Sequence, residues 1–258
     1  MPAEMPLHEI DLPAHFNEIE IKPISDCHIG DPRFDRELLE SEIEWAKQAD
    51  NRYILLNGDI MNTATTKSVS NTYEATMTPH EELNTARELF VPAKDSFLAL
   101  TTGNHERRIQ REDGFDLSAE LAKSLDAIYR PEGLMIKIRF GQRKSNQKKQ
   151  VYNIYMSHGF TGSRTSGGKA NRLEKKRTIV VADVYIQSHT HQKIVFNKDI
   201  FIADNRNNKM TRKHQTFVNT GAYLSYGGYG EQKEYDPADK GTVVIKLDGA
   251  EKNIQVIS

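Results

Sequence analysis

The first half of the chain alternates apolar runs with segments of helical periodicity. Three runs have the length and composition of buried strands: Ile19–Ser25, Tyr53–Leu56 and Phe97–Leu100. Between the first two, Phe34–Asp50 repeats apolar residues at helical spacing. Pro79–Leu89 begins with a proline and two glutamates that suit a helix start, and Leu117–Leu125 predicts a short helix. The pattern therefore predicts a strand–helix–strand unit followed by further helices and a strand.

After Asp126 the pattern changes to the alternation that is typical of strands. Seven segments show it: Leu134–Phe140, Val151–Met156, Val180–Gln187, Ile194–Ile202, Thr216–Ala222, Thr242–Leu247 and Asn253–Ile257. A polar basic turn, Gly141–Lys149, separates two of them, and Asp248–Gly249 marks a closing hairpin. Because no repeat or low-complexity linker interrupts the chain, we expect one domain over residues 1–258, with a motif core at 19–203 and C-terminal strands at 214–258.

Composition adds limits on compartment and class. The 258 residues are 37% hydrophobic and 28% charged, as in an ordinary globular protein. Apolar runs are far shorter than the roughly 18 residues of a membrane span, and the amino terminus lacks a signal-peptide pattern. A single cysteine, Cys27, cannot form an internal disulfide, so we expect a protein of the reducing cytoplasm that does not act at a membrane.

Charge is unevenly distributed along the chain although the net charge is only -1. Between Arg139 and Lys213 there are 17 Lys and Arg residues but only 4 Asp and Glu residues. A basic segment of this size can attract phosphate-rich ligands, or it can consist of solvated lysines on surface helices and hairpins.

Polar clusters follow five of the predicted strands. They are Asp26 with His28, Gly58-Asp59, Gly103-Asn104-His105-Glu106, His158-Gly159, and His189 with His191. Residues two apart on an extended chain project to the same side, so Asp26 and His28 have a chelating spacing, and His189 and His191 are expected to share one side of a strand end. Because the carboxyl ends of parallel strands converge on one crevice, we expect the clusters to meet there.

The ordered motifs Asp-x-His, Gly-Asp, Gly-Asn-His-Glu, His-Gly and His-x-His resemble the signature of the calcineurin-like metallophosphoesterase superfamily. The resemblance spans Asp26 to His191. It implies an α+β fold, a two-sheet β-sandwich flanked by helices, with a two-metal site at the strand ends. Our strand and helix assignments are compatible with that fold.

The resemblance also implies a role for each motif residue. One metal ion is expected to be bound by Asp26, His28 and His191, the other by Asn104, His158 and His189, and Asp59 is expected to bridge both. Carboxylate, imidazole and amide ligands suit Mn²⁺, and also Fe²⁺, Zn²⁺ or Ni²⁺. Cys27 should then face away from the metals as a small core residue.

The implied reaction is hydrolysis of a phosphoester. Two divalent ions about 3.5 to 4 Å apart can activate a shared hydroxide as nucleophile and neutralise charge on the phosphoryl oxygens. In the superfamily, the position of His105 protonates or stabilises the leaving oxygen. Glu106 could orient a neighbour or begin a helix, and Arg107 and Arg108 could contact phosphate or remain solvated.

Departures from the family pattern narrow the subclass. Ser/Thr protein phosphatases of the superfamily have an aspartate at the position of Asn62 and an arginine at Thr102, so this subclass is disfavoured. Ser188 stands where the family usually has glycine, which should slightly restrict the turn. The double-strand-break repair nucleases usually have aspartate at Glu106 and carry a coiled-coil attachment for which this chain has no room.

Three segments between the motifs bear on the substrate. The Thr-, Ser- and Asn-rich segment Met61–Thr78 could bind a ligand or be a surface loop. Phe160–Arg177 combines glycines with basic residues, including Arg164 and Lys169, and predicts a flexible basic lid that favours a polyanion. Gly221–Tyr235 carries four tyrosines that could stack on bases or pack within the loop. They are Tyr223, Tyr226, Tyr229 and Tyr235.

Together these segments favour a nucleic acid or nucleotide phosphodiester, with DNA or RNA as the partner, over a phosphomonoester of a small molecule or phosphoprotein. Two alternatives of other classes remain. One is a metal-binding scaffold or regulatory subunit without turnover, which the complete set of motif residues disfavours. The other is a non-enzymatic nucleic-acid-binding module, whose binding would depend strongly on salt and not on metal.

Overall fold

Two six-stranded β-sheets pack face to face, with α-helices on their outer faces, in the computed structural model, which describes residues 5–65, 74–160, 162–228, 231, 234 and 236–258. The strands of these residues are β1 Leu7–Asp11, β2 Glu18–Ile24, β3 Arg52–Asn57, β4 Phe97–Thr101, β5 Ile128–Tyr129, β6 Leu134–Phe140, β7 Gln150–Met156, β8 Val184–Gln187, β9 Ile194–Asp204, β10 Lys209–Asn219, β11 Val244–Asp248 and β12 Ile254–Ile257. Their α-helices are α1 Arg36–Lys47, α2 Pro79–Phe90, α3 Glu106–Asp113, α4 Leu117–Leu125 and α5 Ser166–Glu174.

Both sheets are mixed. One has the strand order β12-β11-β2-β3-β4-β5, in which β2, β3, β4 and β5 are parallel. The other has the order β1-β6-β7-β8-β10-β9, with β8 parallel to both of its neighbours. The carboxyl ends of β2, β3 and β4 therefore reach one edge of the first sheet, and those of β7 and β8 reach one edge of the second.

The interior between the sheets explains the alternation seen in the sequence. Strand β6 buries every second residue, from Leu134 to Phe140, against Ile19 and Ile21 of β2 and Leu55 of β3. Burial of these aliphatic side chains removes apolar surface from water, which is the main stabilising contribution to such a sandwich. The two sheets are therefore held together as one domain.

Helices cover the outer face of the first sheet. Asp35 caps α1, which buries Leu39, Ile43 and Ala46, and Thr78 forms a capping box with Glu81 at the start of α2. Cys27 lies fully buried in this same apolar cluster, which confirms its expected role as a core residue. None of the helices formed by the described residues is long and apolar enough to span a membrane.

The sandwich with flanking helices confirms the predicted fold class, and α4 has the predicted bounds. Other predictions were wrong in part. Val180–Gln187 is a strand only from Val184, and of Thr216–Ala222 only Thr216–Asn219 belongs to a strand, which begins at Lys209. Strand β1 and helix α3 were not predicted, because Leu7–Asp11 is short and exposed and Glu106–Asp113 has only one apolar residue. The division into a core at 19–203 and strands at 214–258 stays a prediction.

A buried carboxylate connects the second sheet to the C-terminal hairpin. Asp183 is 1% exposed, accepts a hydrogen bond from the Asn153 backbone N–H at 2.7 Å, and pairs with Lys252 at 2.7 Å and with Lys213. Burial raises the pKa of Asp183, but the two lysines outweigh it and hold the pKa below its ordinary value. The charged form is therefore stabilised by folding.

We expect Asp183→Asn to lower the free energy of unfolding by about 2 to 4 kcal/mol at pH 7, because it leaves two lysines without their anion. Since the folded-state pKa is below the ordinary value, this stabilisation is complete above about pH 4 and is lost as pH falls through the lowered pKa. Urea denaturation of both proteins from pH 3 to 7 measures it. Asp199→Asn, at an exposed ion pair, is the control and should have a much smaller effect. A pH-independent difference would contradict the assignment.

Candidate metal centre

Five strand ends meet at one end of the sandwich. The loops after β2, β3 and β4 of one sheet carry Asp26 and His28, Asp59, and Asn104 with His105. The loops after β7 and β8 of the other sheet carry His158, and His189 with His191. The convergence expected for parallel strands is therefore present, and both sheets contribute to it.

Backbone hydrogen bonds continue the pairing of β2 and β3 beyond the strands themselves. The Asp26 N–H donates to the Gly58 carbonyl at 3.1 Å, and the His28 N–H donates to the Asp59 carbonyl at 3.1 Å. The Ile29 N–H then donates to the Ile60 carbonyl at 2.9 Å. This irregular ladder keeps the loop that carries Asp26 and His28 in register with the loop that carries Asp59.

Most of the candidate ligands adopt a strained backbone. Left-handed φ values occur at Asp26 (52°), His28 (51°), Asp59 (51°), His189 (73°) and His191 (53°). Non-glycine residues seldom adopt this conformation, and its clustering at one site indicates a geometry that the surrounding contacts impose. The expectation that Asp26 and His28 share one side of an extended chain was wrong: they converge through alternating left-handed residues.

The side chains form three overlapping groups whose potential ligand atoms lie within 4.8 Å of one another. The groups are Asp26 with His28 and His191, His28 with Asp59 and His105, and Asp59 with His158 and His189. Asp59 and His28 each belong to two groups, so the three groups form one continuous cluster. Such carboxylate and imidazole sets can bind divalent transition-metal ions.

Asn104 also lies at this cluster. Its Oδ1 is 3.2 Å from His158 Nε2, which is itself 3.0 Å from Asp59 Oδ2. On the other side of the ring, His158 Nδ1 donates to the Asn57 carbonyl at 2.8 Å. This second bond fixes the ring orientation and leaves Nε2 directed at the site, as metal-binding histidines require.

Electrostatics couple the acidic and imidazole groups. Burial opposes charge on His158, but the Asp59 carboxylate raises its pKa to about 9. Burial also opposes charge on Asp26, but His191 lowers its pKa to about 2. Burial, with help from His158, lowers the pKa of His189 to about 4. Burial likewise opposes charge on Asp59, but His158 and His105 hold its pKa well below the ordinary value. Both carboxylates are therefore ionised, which makes the cluster attractive to cations.

Two buried atoms of the cluster have no hydrogen-bond partner in the described part of the chain. They are Asp26 Oδ1, which forms an ion pair with His191 Nε2 at 3.2 Å but accepts no directed hydrogen bond, and His189 Nδ1. A buried polar atom without a hydrogen bond is costly, and bound metal ions would satisfy such atoms. The donor set and these unsatisfied atoms together fit a metal centre.

Glu106 organises the loops below this cluster. It is 1% exposed, and its carboxylate accepts four backbone N–H groups, from Gly103, Asp59, Ile60 and Met61, at 2.6 to 3.1 Å. Burial and the nearby Asp59 charge raise the pKa of Glu106 to about 7. Both interpretations open from the sequence hold, because Glu106 is the first residue of α3 and its carboxylate orients the neighbouring loops.

His105 is the N-cap residue of α3 and has helical dihedral angles. Its backbone N–H donates to Asp59 Oδ1 at 2.8 Å. Its Nδ1 donates to the Asn62 carbonyl at 2.6 Å, and its Nε2 lies 3.9 Å from Asp59 Oδ2. Nε2 is therefore the nitrogen that faces the cluster.

A cleft of about 600 Å³ opens over the cluster. Arg108, Arg164 and Lys169 line it, but the predicted substrate residue Arg107 is not among the described residues that do. Arg107 instead donates to the Pro131 carbonyl at 2.6 Å. Of the four tyrosines, Tyr226 lines the cleft and Tyr223 is fully buried, whereas Tyr229 and Tyr235 lie outside the described residues.

Much of the basic segment Phe160–Arg177 is helical and not the loop that its glycines suggested, and residue 161 lies outside the described residues. Ser166–Glu174 forms α5, capped by Thr165, and a 3₁₀ helix follows at Lys175–Thr178. Lys176 is only 6% exposed, and its ammonium group contacts Ser157 Oγ. It therefore cannot attract a substrate in the cleft. Within the other predicted loop, Met61–Thr78, residues 66–73 lie outside the described residues.

Several cleft residues were missed by sequence reasoning. Asp31 and Arg33 line the cleft and form a bidentate ion pair with two 2.8 Å contacts, and Glu74 and Asp236 also line it. Loop residues of this kind carry no periodic signal. Glu82 was also missed, although a signal was present: it is an acidic residue in the apolar stripe that includes Ala86.

Comparisons with known proteins give structural matches only. Neither the models of known protein families nor the curated proteins contain a match to the chain. Among solved structures, a predicted phosphoesterase from Streptococcus pneumoniae is 12% identical, with a TM-score of 0.40, covering 93% of this chain and 88% of that one. Vps29 complexed with Zn²⁺ from Entamoeba histolytica is 11% identical, with a TM-score of 0.37, covering 92% and 97%.

A third structure, GAP50 of the inner membrane complex of Plasmodium, is 11% identical, with a TM-score of 0.46, covering 93% of this chain and 83% of that one. All three TM-scores are below 0.5.

We expect Glu106→Gln to lower the free energy of unfolding by about 2 to 4 kcal/mol. The NH₂ group that replaces one carboxylate oxygen is a donor and cannot accept the two backbone N–H groups that face it. The loop that carries Asp59 should also shift, so that metal binds more weakly. Urea denaturation and metal titration by calorimetry measure the two effects. Glu112→Gln, an exposed change on the same helix, is the control. Equal behaviour of the two variants would show that the four bonds do not hold the site.

Proposed function

We propose that this protein is a metal-dependent phosphoesterase. The observation that carries the proposal is the cluster of three overlapping Asp and His groups at the base of the cleft, in which Asp59 is shared. The same residues carry the sequence resemblance to the calcineurin-like metallophosphoesterases. A scaffold that had lost turnover would have no need for a complete set of ligands beneath an open cleft.

The residues fit two divalent ions, and we propose Mn²⁺ as the metal at both positions. Asp26, His28 and His191 would hold one ion, and Asn104, His158 and His189 the other, with Asp59 between them. His189 and His191, two residues apart in sequence, belong to different groups of the cluster, as this division requires. Such a pair of ions, when bound, can activate a water molecule and neutralise phosphoryl charge.

His105 is the proposed general acid. Because the Asn62 carbonyl can only accept a hydrogen bond, the bond to Nδ1 fixes the proton on that nitrogen. When the ring is doubly protonated, Nε2 carries the second proton and can donate it to a leaving-group oxygen, and the ring returns to the neutral Nδ1–H form. Its ring packs against His28 with centroids 4.3 Å apart, which limits its rotation.

A phosphodiester of a nucleic acid or nucleotide is the proposed substrate. A cleft of about 600 Å³ is in the usual range for ligands of nucleotide size. Arg108, Arg164 and Lys169 supply positive charge on its wall, and Tyr226 offers an aromatic face for a base. Acidic residues such as Asp31 and Glu74 line the cleft as well and repel a polyanion. We therefore expect the polyanion to bind on the side of the cleft that carries the basic residues.

A chromogenic phosphodiester tests the activity directly. With Mn²⁺ the protein should hydrolyse it, and exhaustive chelation should abolish turnover until metal is restored. Asp59→Asn should reduce metal content and activity together, because it removes a negative charge beside both ions. His105→Asn should retain the metal while kcat falls by about 10² to 10⁴ for poor leaving groups.

Nitrophenyl and alkyl diesters, compared with phosphomonoesters of the same groups, separate the alternatives. The defect of His105→Asn should be smaller for nitrophenol, which needs little protonation. Activity that survives metal removal would contradict a metal-dependent reaction, and loss of metal in His105→Asn would make this residue a ligand. Preference for the monoesters would contradict the proposed substrate class.

The charge reversals Arg164→Glu and Lys169→Glu together should raise KM for a single-stranded oligonucleotide and reduce the slope of log KM against log salt by about 1 to 2. A small diester should be hydrolysed nearly as before. The matched control reverses Lys94 and Lys175, which are exposed and not among the described residues that line the cleft. If the control pair has the same effect, general charge and not the cleft attracts the oligonucleotide.

A further inference from the structure

One peptide group lies between His105 and a buried glutamate. The Asn62 carbonyl accepts the Nδ1–H of His105 at 2.6 Å. The N–H of the same peptide group, which belongs to Thr63, donates to Glu82 Oε2 at 2.8 Å. The two ends of the Asn62–Thr63 peptide are therefore bonded to the proposed general acid and to Glu82.

Glu82 is unusual for a residue of an amphipathic helix. It lies on α2 with 0% exposure, among apolar residues such as Leu83 and Ala86. A carboxyl group is rarely buried in this way without a specific role. Its other oxygen, Oε1, has no hydrogen-bond partner within the described residues, so the bond to Thr63 is not a by-product of a larger ion-pair network.

The neighbouring loop is shaped to admit this side chain. Gly30 has a φ of +99°, and a Cβ at this position would lie only 2.3 Å from Glu82 Oε1. Only glycine therefore allows Glu82 to reach the loop. Thr63 also has a left-handed φ of 43°, which turns its N–H toward the helix.

Within the described residues, Glu82 is the acceptor of the Thr63 N–H. Glu106 accepts the N–H groups of Asp59, Ile60 and Met61 but does not reach Thr63. The Asn62 N–H donates to the Ile29 carbonyl at 2.9 Å, which holds the preceding peptide group. The Asn62–Thr63 peptide is thus held on its N–H side by Glu82.

We propose that Glu82 is a positioning residue that orients His105 through the Asn62–Thr63 peptide group. The inference rests on the proposed function, in which His105 is the general acid. Hydrogen bonding of the N–H to a carboxyl oxygen polarises the peptide and makes its carbonyl a better acceptor. Glu82 thereby acts on the imidazole from a distance, as residues behind metal-site histidines do by direct contact.

The test compares four variants of the full chain. Glu82→Ala removes the acceptor, Glu82→Asp withdraws it by one methylene group, and Glu82→Gln keeps an oxygen in reach of Thr63. Glu88→Ala, an exposed position on the same helix, is the matched control for loss of a glutamate from α2. Thermal unfolding and metal content are measured for each variant, and Glu82→Asp replaces Glu82→Ala if the latter does not fold.

The first readout is the dependence of kcat on the leaving group. Glu82→Ala and Glu82→Asp should lower kcat about 10- to 100-fold for an alkyl diester and much less for a nitrophenyl diester. Glu82→Gln should retain most of the wild-type kcat for the alkyl diester. An equal loss for both substrates would show a structural role only and would overturn the proposal.

The second readout does not need turnover. In ¹⁵N-histidine NMR spectra of the metal-free protein, His105 should be the Nδ1–H tautomer in the wild type and in Glu82→Gln, and a mixture of tautomers in Glu82→Ala and Glu82→Asp. An unchanged tautomer in Glu82→Ala overturns the proposal. If the wild type hydrolyses no phosphoester with any metal, the proposed function fails, but the spectra still decide whether Glu82 orients His105.

Discussion

The carboxylate of Glu106 is the contact on which the geometry of the metal centre depends. Its two oxygens accept four backbone N–H groups from two loops, so it joins the end of β3 to the turn after β4. A buried acceptor saturated in this way cannot be replaced by water without loss of stability. Asp59 lies in one of these loops, and His105 follows the other. The hydrogen bonds to Glu106 therefore fix the distance between Asp59 and His105.

The strained residues of the cluster are held by this framework. Left-handed conformations cost energy individually, and those at Asp26, His28 and Asp59 are held in place by the backbone ladder after β2 and β3. The same constraint keeps two ionised carboxylates, Asp26 and Asp59, close to neutral and charged imidazoles. Binding of cations would relieve the electrostatic repulsion between these two carboxylates.

Asn57 connects the two sheets at the centre of this arrangement. Its carbonyl accepts from His158 Nδ1 at 2.8 Å, and its side-chain amide donates to Ser188 Oγ at 2.6 Å. Thr101 Oγ1 donates to its Oδ1 at 2.9 Å. Ser188, which stands where the resembled family usually has glycine, is therefore part of the contact between β3 and β8. These hydrogen bonds hold the carboxyl ends of the strands of both sheets next to one another.

The sequence by itself predicted most of the strands and the polar residues at their ends, because alternation and polar strand ends are local properties of the chain. The sandwich and the roles of the site residues were implied only by the resemblance of the motifs to the metallophosphoesterase superfamily. The sequence could not determine the left-handed turns at Asp26 and His28, the burial of Lys176 or the helix at Ser166–Glu174. Those features depend on contacts between residues far apart in sequence. The approach of Glu82 to Thr63 past Gly30 is of the same kind, since only the packed structure decides which buried N–H a glutamate meets.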